Sequence, residues 1–249
     1  MPRTGSSLMK NYFGDYPSIE ILPFQATGFQ VAWENRCGKN IILVDKATHY
    51  IRSFNRIFAT TQGSALFCCI VRDPRDQLCS LIEFDGHPEL PRGIKFWRHW
   101  AKQYDGYLKF AQQHRLARCF LIRYEDMVRF PVQAKSEFLE WLGLSIDTYP
   151  ITTKLTVRHQ NDDQDPKIKI AKEITSKTIG RHRNPKNSDH SPLINAYLRF
   201  PAAVKLMARF GYGATHLSTM EDLGIPNLHV FIQPDTENET VGHRVEGSE

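Results

Sequence analysis

The sequence predicts an α/β fold with a central parallel sheet and helices on both faces. Three observations carry that expectation. Residues 41–44, 66–71 and 119–122 are short, continuous apolar runs, the pattern of strands buried on both sides. Stretches of helical period separate them, at the spacing of strand–helix–strand crossovers. Each run ends in a polar cluster: Asp45 to Tyr50, Arg72 to Asp76, and Arg123 to Asp126. In such sheets ligands bind beyond the carboxyl ends of the strands, so these clusters are where function is sought.

In chain order, the first nine residues read as a turn followed by a helix over about 6–14. Pro2 cannot continue a strand ladder, Gly5 permits a positive φ, and Ser6 and Ser7 suit a helix start. Free backbone N–H groups there, with Arg3 and the hydroxyls of Thr4, Ser6 and Ser7, suit an oxyanion. Tyr16-Pro17-Ser18 is a turn, and residues 19–22 form a short strand stopped by Pro23. Residues 27–37 look helical, with Cys37-Gly38-Lys39-Asn40 as the stop before the strand at 41–44. A helix over 52–60 and a break at Gly63-Ser64 lead into the strand at 66–71.

Arg72-Asp73-Pro74-Arg75-Asp76 turns into a helix running to about Glu83, with Arg75 and Asp76 expected to pair on that turn. A polar loop over 85–92 follows, then a long helix over 94–114. Trp97, Trp100, Tyr104, Leu108 and Ala111 fall near helical spacing on it, which reads as core packing. After the strand at 119–122, a helix over 134–142 ends at Gly143. Residues 152–190 are polar, residues 191–210 form a last helix, and the composition from 226 onward suggests a mobile tail. Residues 1–225 are expected to form a single domain, with 226–249 as the tail.

Composition narrows the function. The 249 residues carry a formal net charge of +5, which suits small anions and falls short of what nucleic-acid binding asks. No apolar run is long enough to span a bilayer, and no signal peptide is visible. The five cysteines, Cys37, Cys68, Cys69, Cys79 and Cys119, include no C-x-x-C pair. They read as reduced, buried thiols of a cytoplasmic protein, and a metal centre is not expected.

Four segments, in order, resemble the sulfotransferases that use 3′-phosphoadenosine 5′-phosphosulfate (PAPS). Pro2-Arg3-Thr4-Gly5-Ser6-Ser7-Leu8 resembles the loop holding the donor's 5′-phosphosulfate. Val71-Arg72-Asp73-Pro74-Arg75-Asp76 with Ser80 resembles the 3′-phosphate segment. Leu121-Ile122-Arg123-Tyr124-Glu125-Asp126-Met127-Val128 resembles the R-Y-E-D-L strand end. Ile179-Gly180-Arg181-His182-Arg183-Asn184 resembles the late G-R-W-R loop. The resemblance spans residues 1 to about 185 and implies a P-loop-like three-layer fold and sulfuryl transfer from PAPS to a hydroxyl or amine acceptor.

It also implies roles. Arg3, Thr4, Gly5, Ser6, Ser7, Arg72, Ser80, Lys177, Gly180, Arg181 and Arg183 would hold the donor. Lys46 would stabilise the leaving phosphate, and His49, preceded by Thr48, would take the acceptor's proton. Other branches use a glutamate shortly after the first helix. Here that stretch is Ile21-Leu22-Pro23-Phe24-Gln25, so Glu83 and Glu34 stand beside His49 as candidate bases. Family members also carry an apolar strand before the donor loop. This chain starts at Met1 without one, so either the start is truncated or the sheet is completed differently. The acceptor is expected to be a small molecule, a glycan or a peptide, with no nucleic acid, no membrane span and no metal. The competing readings are a nucleotide-phosphate kinase or NTPase, whose G-x-x-x-x-G-K-[ST] loop is absent, and a catalytically degenerate PAPS-binding relative.

Overall fold

The structure, a computed structural model, describes residues 8–9, 12, 16, 19–21, 42–44, 53–85, 90–145, 179–184, 186, 190–212, 225–226 and 228–231. Among the described residues every strand pair is parallel. β1 (Ile19–Ile21) pairs with β2 (Ile42–Val44) in one sheet. β3 (Leu66–Val71), β4 (Arg118–Arg123) and β5 (Leu228–Phe231) form a second, with β4 in the middle. Helices cover both faces of the second sheet, which is the three-layer arrangement expected.

The alternation of side chains along β4 explains why both faces need covering. Cys119 and Leu121 join one apolar cluster, and Phe120 and Ile122 join the other. All four are fully buried, so the run could not leave either face to water. On the first face lies α3 (Leu90–Gln113), the long helix, with Trp97, Trp100, Tyr104, Leu108 and Ala111 all buried. The aromatic stripe is core, as expected. Two tyrosines on it also hold the sheet: Tyr104 donates to the carbonyl of Ile70 at 2.9 Å, and the Tyr107 hydroxyl lies 2.9 Å from the carbonyls of Phe67 and Phe120. α1 (Phe54–Thr60) adds Phe54 edge-on to Phe67, with centroids 5.0 Å apart. The second face is covered by the short α4 (Tyr124–Arg129) and by α5 (Pro131–Leu142). Leu8, Met9 and Tyr12 pack on that face too.

Between β3 and α3 lies α2 (Pro74–Asp85). Three of the differences from the sequence reading have a plain physical reason. α3 begins at Leu90, inside the expected 85–92 loop, because a proline in the first helical turn (Pro91) gives up no intrahelical hydrogen bond. The single helix expected over 191–210 is three pieces: α6 (Ser191–Ile194), a 3-10 turn (Asn195–Arg199) and α7 (Pro201–Arg209). Pro201 pushes Phe200 out of the helical region, to φ −121 and ψ 89, so the helix must restart. Residues 228–231 fall in the stretch expected to be tail, yet they are a strand, with Leu228 and Phe231 buried against β4. Their four-residue apolar pattern is too short to stand out beside a polar flank. The helix expected over 27–37 lies outside the described residues.

Cysteines also depart in part. Cys79 and Cys119 are buried and Cys69 is half-buried, but Cys68 is exposed.

Candidate anion site at the ends of β3 and β4

Val71 and Arg123 are register partners at the carboxyl ends of adjacent strands. Whatever follows each of them must therefore meet. Arg72 leaves β3 and is 4% exposed, its guanidinium 4.5 Å over the ring of Tyr124, which leaves β4. One residue further on, the Asp73 N–H donates to Glu125 Oε1 at 2.9 Å. The two strand-end motifs thus lock together through one stacking contact and one hydrogen bond.

The R-D-P-R-D turn is built by its own chemistry. Asp73 precedes Pro74, which opens α2, and Asp73 Oδ1 accepts the Arg75 N–H at 2.9 Å, capping the helix. The Arg75 guanidinium lies along the same carboxylate, with Nε 3.0 Å from Oδ1 and Nη2 2.7 Å from Oδ2. Arg75 therefore pairs with Asp73 and not, as the sequence reading had it, with Asp76.

Asp76 is turned elsewhere. Its Oδ2 accepts the Gly180 N–H at 2.6 Å, and its Oδ1 accepts the His182 N–H at 2.9 Å and lies 2.6 Å from His182 Nδ1. One carboxylate thus binds the late loop three times. Burial opposes its ionisation, but the bonds from His182 and the charges of His182 and Arg72 prevail and hold its pKa below the ordinary value. Seven positions along α2, Glu83 meets the Arg181 guanidinium in an ion pair. Residues 76, 80 and 83 share one face of a helix, so Ser80 lies between these two clasps. Gly180 adopts φ 72 at the start of the 3-10 turn Arg181–Arg183, a backbone conformation suited to glycine.

The strand-end residues of β4 are engaged with protein groups. Arg123 grips Asp126 through two bonds, at 2.6 and 2.9 Å, both side chains buried. Glu125 accepts from Asp73 N–H and from the Tyr212 hydroxyl at 2.7 Å. Burial and the nearby charge of Asp73 push the Glu125 pKa up to about 7, against the hydrogen bonds and Arg72, which act to lower it. The R-Y-E-D run is thus a structural knot beneath the site.

Of the expected donor-binding residues, the structure brings Arg72, Ser80, Gly180, Arg181 and Arg183 to this region, with Arg72 and Ser80 buried. Arg3, Thr4, Gly5, Ser6, Ser7, Lys46, His49 and Lys177, like the candidate base Glu34, lie outside the described residues. Sequence reasoning missed the roles of Asp76, His182 and Tyr212. Nothing local signals them, since their partners lie 106 and 87 positions away. Among the described residues, no group of three or more His, Cys, Asp or Glu side chains is placed to hold a metal ion, and no helix is long and apolar enough to cross a membrane.

The family model described as "Sulfotransferase family" matches residues 23–148, half of the chain. The chain belongs to the sulfotransferase family. The match takes in β2, β3, α2, α3 and β4, so the sulfotransferase framework includes Arg72, Ser80 and the knot at Glu125. Neither the curated proteins nor the solved structures yield a match. Family membership makes sulfuryl transfer the general reaction of this sulfotransferase.

Proposed function

We propose that this sulfotransferase takes its sulfuryl group from PAPS and delivers it to a hydroxyl or amine of a small molecule, glycan or peptide. The observation that carries the donor assignment is the burial of Arg72 and Ser80, one at the end of β3 and the other on the helix that follows. A buried guanidinium at the end of β3 and a buried hydroxyl on the next helix sit beside a loop bearing Arg181 and Arg183. That set matches one phosphate dianion: a rigid fork, a neutral donor and further positive charge. Residues 2–8 would hold the 5′-phosphosulfate, through Arg3, Thr4, Gly5, Ser6 and Ser7, with Lys177 adding charge on the late loop.

In this reading the acceptor oxygen attacks sulfur in line. The new S–O bond forms as the bond to the bridging phosphate oxygen breaks. His49 takes the acceptor proton, and Lys46 stabilises the charge left on the phosphate. Glu83 is the weaker candidate base, because its carboxylate is held by Arg181. No metal is assigned a part. Free thiols among the described residues suit a reducing, cytoplasmic setting.

Calorimetry with adenosine 3′,5′-bisphosphate, the transfer product, tests the donor site. Binding should weaken at least 10-fold in Arg72→Ala, in line with loss of a charged hydrogen bond. Equal affinity for ATP, with no contribution from the 3′-phosphate, would reject PAPS and favour the kinase-like reading. An acceptor screen with PAPS, read by mass spectrometry, tests turnover. Bisphosphate binding with no sulfated product would point to a degenerate relative.

A further inference from the structure

Asp76 presents a puzzle for an anion site. It stands one helical turn before Ser80 on the same face of α2, and a carboxylate so placed should repel a phosphate. Its geometry resolves the conflict. Both oxygens are engaged by donors of the late loop: Gly180 N–H at 2.6 Å, His182 N–H at 2.9 Å and His182 Nδ1 at 2.6 Å. Asp76 is itself 1% exposed, so it offers no free oxygen face to solvent.

We propose that Asp76 is a positioning residue, which ties the 179–184 loop to α2 and so sets the loop's arginines over the Ser80 and Arg72 phosphate site. The proposal rests on the PAPS reading. The two anchors differ in kind. Asp76 makes three bonds in a buried setting, two of them to backbone, so it specifies the path of the chain at Gly180 and His182. The Glu83–Arg181 pair is partly exposed and reaches one side chain. Surface pairs of that sort are weak, so Asp76 is the principal anchor and Glu83 a releasable one. An incoming phosphate can draw Arg181 away from Glu83 without undoing the loop's backbone anchor.

The proposal predicts a sign. If Asp76 acted on the ligand only as a nearby negative charge, Asp76→Asn would tighten binding of a 3′-phosphate. As a loop anchor, the same substitution must weaken it, because an amide cannot accept from all three N–H groups. The test measures adenosine 3′,5′-bisphosphate against adenosine 5′-monophosphate by calorimetry, in wild type, Asp76→Asn and His182→Ala. Wild type should prefer the bisphosphate. Asp76→Asn should lose about 10-fold or more of that preference, and His182→Ala a smaller part, with 5′-monophosphate affinity little changed. General damage to the fold would lower both ligands alike, so the ratio separates positioning from instability. Amide exchange at Gly180 and His182 should quicken in Asp76→Asn. If Asp76→Asn does not fold, His182→Ala decides: a preference equal to wild type overturns the proposal, as would an increased preference in either variant. If wild type shows no preference at all, the PAPS reading itself fails, a different outcome from variants that keep a wild-type preference.

Discussion

The hydroxyl of Tyr212 lies 2.7 Å from Glu125 Oε2 and 3.3 Å from the carbonyl oxygen of Val71. One proton cannot serve two acceptors equally. When Glu125 is ionised, Tyr212 donates to it and the Val71 carbonyl is poorly served. When Glu125 is protonated, its own O–H donates to Tyr212 and frees the tyrosine proton for Val71. Burial and the charge of Asp73 favour the protonated arrangement and push the Glu125 pKa up to about 7, although the Tyr212 hydrogen bond acts to lower it.

That relation predicts a pH dependence. The native state holds a proton on Glu125 between the ordinary value of 4.5 and about 7, where the unfolded chain has released it. The native state therefore binds more protons in that window, and stability contributed by this group falls as pH rises through it. The loss should reach at most about 3 kcal/mol. Glu125→Gln, which cannot titrate, should flatten the curve. Urea denaturation of both proteins at several pH values checks this, and parallel curves would contradict it. Asp76, with its lowered pKa, acts in the opposite sense and at lower pH, so it does not mask the effect.

The buried Arg123–Asp126 pair should show the asymmetry of buried ions. Asp126→Ala removes the buried countercharge that Arg123 grips through two bonds, at a cost of about 3–5 kcal/mol. Arg123→Met combined with Asp126→Leu should recover much of that loss. Chemical denaturation of the single and double variants is the measurement. A double variant no more stable than the single would mean the pair contributes more than its broken state costs.

Gly143 ends α5 at φ 78, donating its N–H to Glu140 at 2.8 Å. An added Cβ there would meet nothing within 4 Å, so only backbone strain opposes a side chain. Gly143→Ala should cost about 1–2 kcal/mol, and Gly143→Asn less. Thermal melts of the two variants distinguish this from a packing effect, which would penalise the larger asparagine more.

For catalysis, His49→Ala should lower turnover about 10²–10⁴-fold. Lys46→Ala should lower it about 10²–10³-fold. Bisphosphate affinity should change far less in either, because both are assigned to the transferring group. Turnover of His49→Ala equal to wild type would remove it as the base and return attention to Glu34 and Glu83.

The sequence by itself determined the class of fold and the place to look. Apolar runs at 66–71 and 119–122 read as strands covered on both faces, which put the residues after them at one end of a sheet. The prolines and glycines marked their ends for local steric reasons, as at Pro74 and Gly143. Family motifs named Arg72 and Ser80 before any geometry did. Which charge meets which was decided only in three dimensions. Arg75 chose Asp73 over Asp76, and Asp76 was left for a loop 106 positions away. Glu125 found Tyr212 just beyond α7, and a four-residue run over 228–231 became the third strand of the sheet. Local sterics act within a few residues and so can be read in order along the chain. Pairing of buried charges depends on which groups the packed core brings within about 3 Å of each other, and no local pattern encodes that.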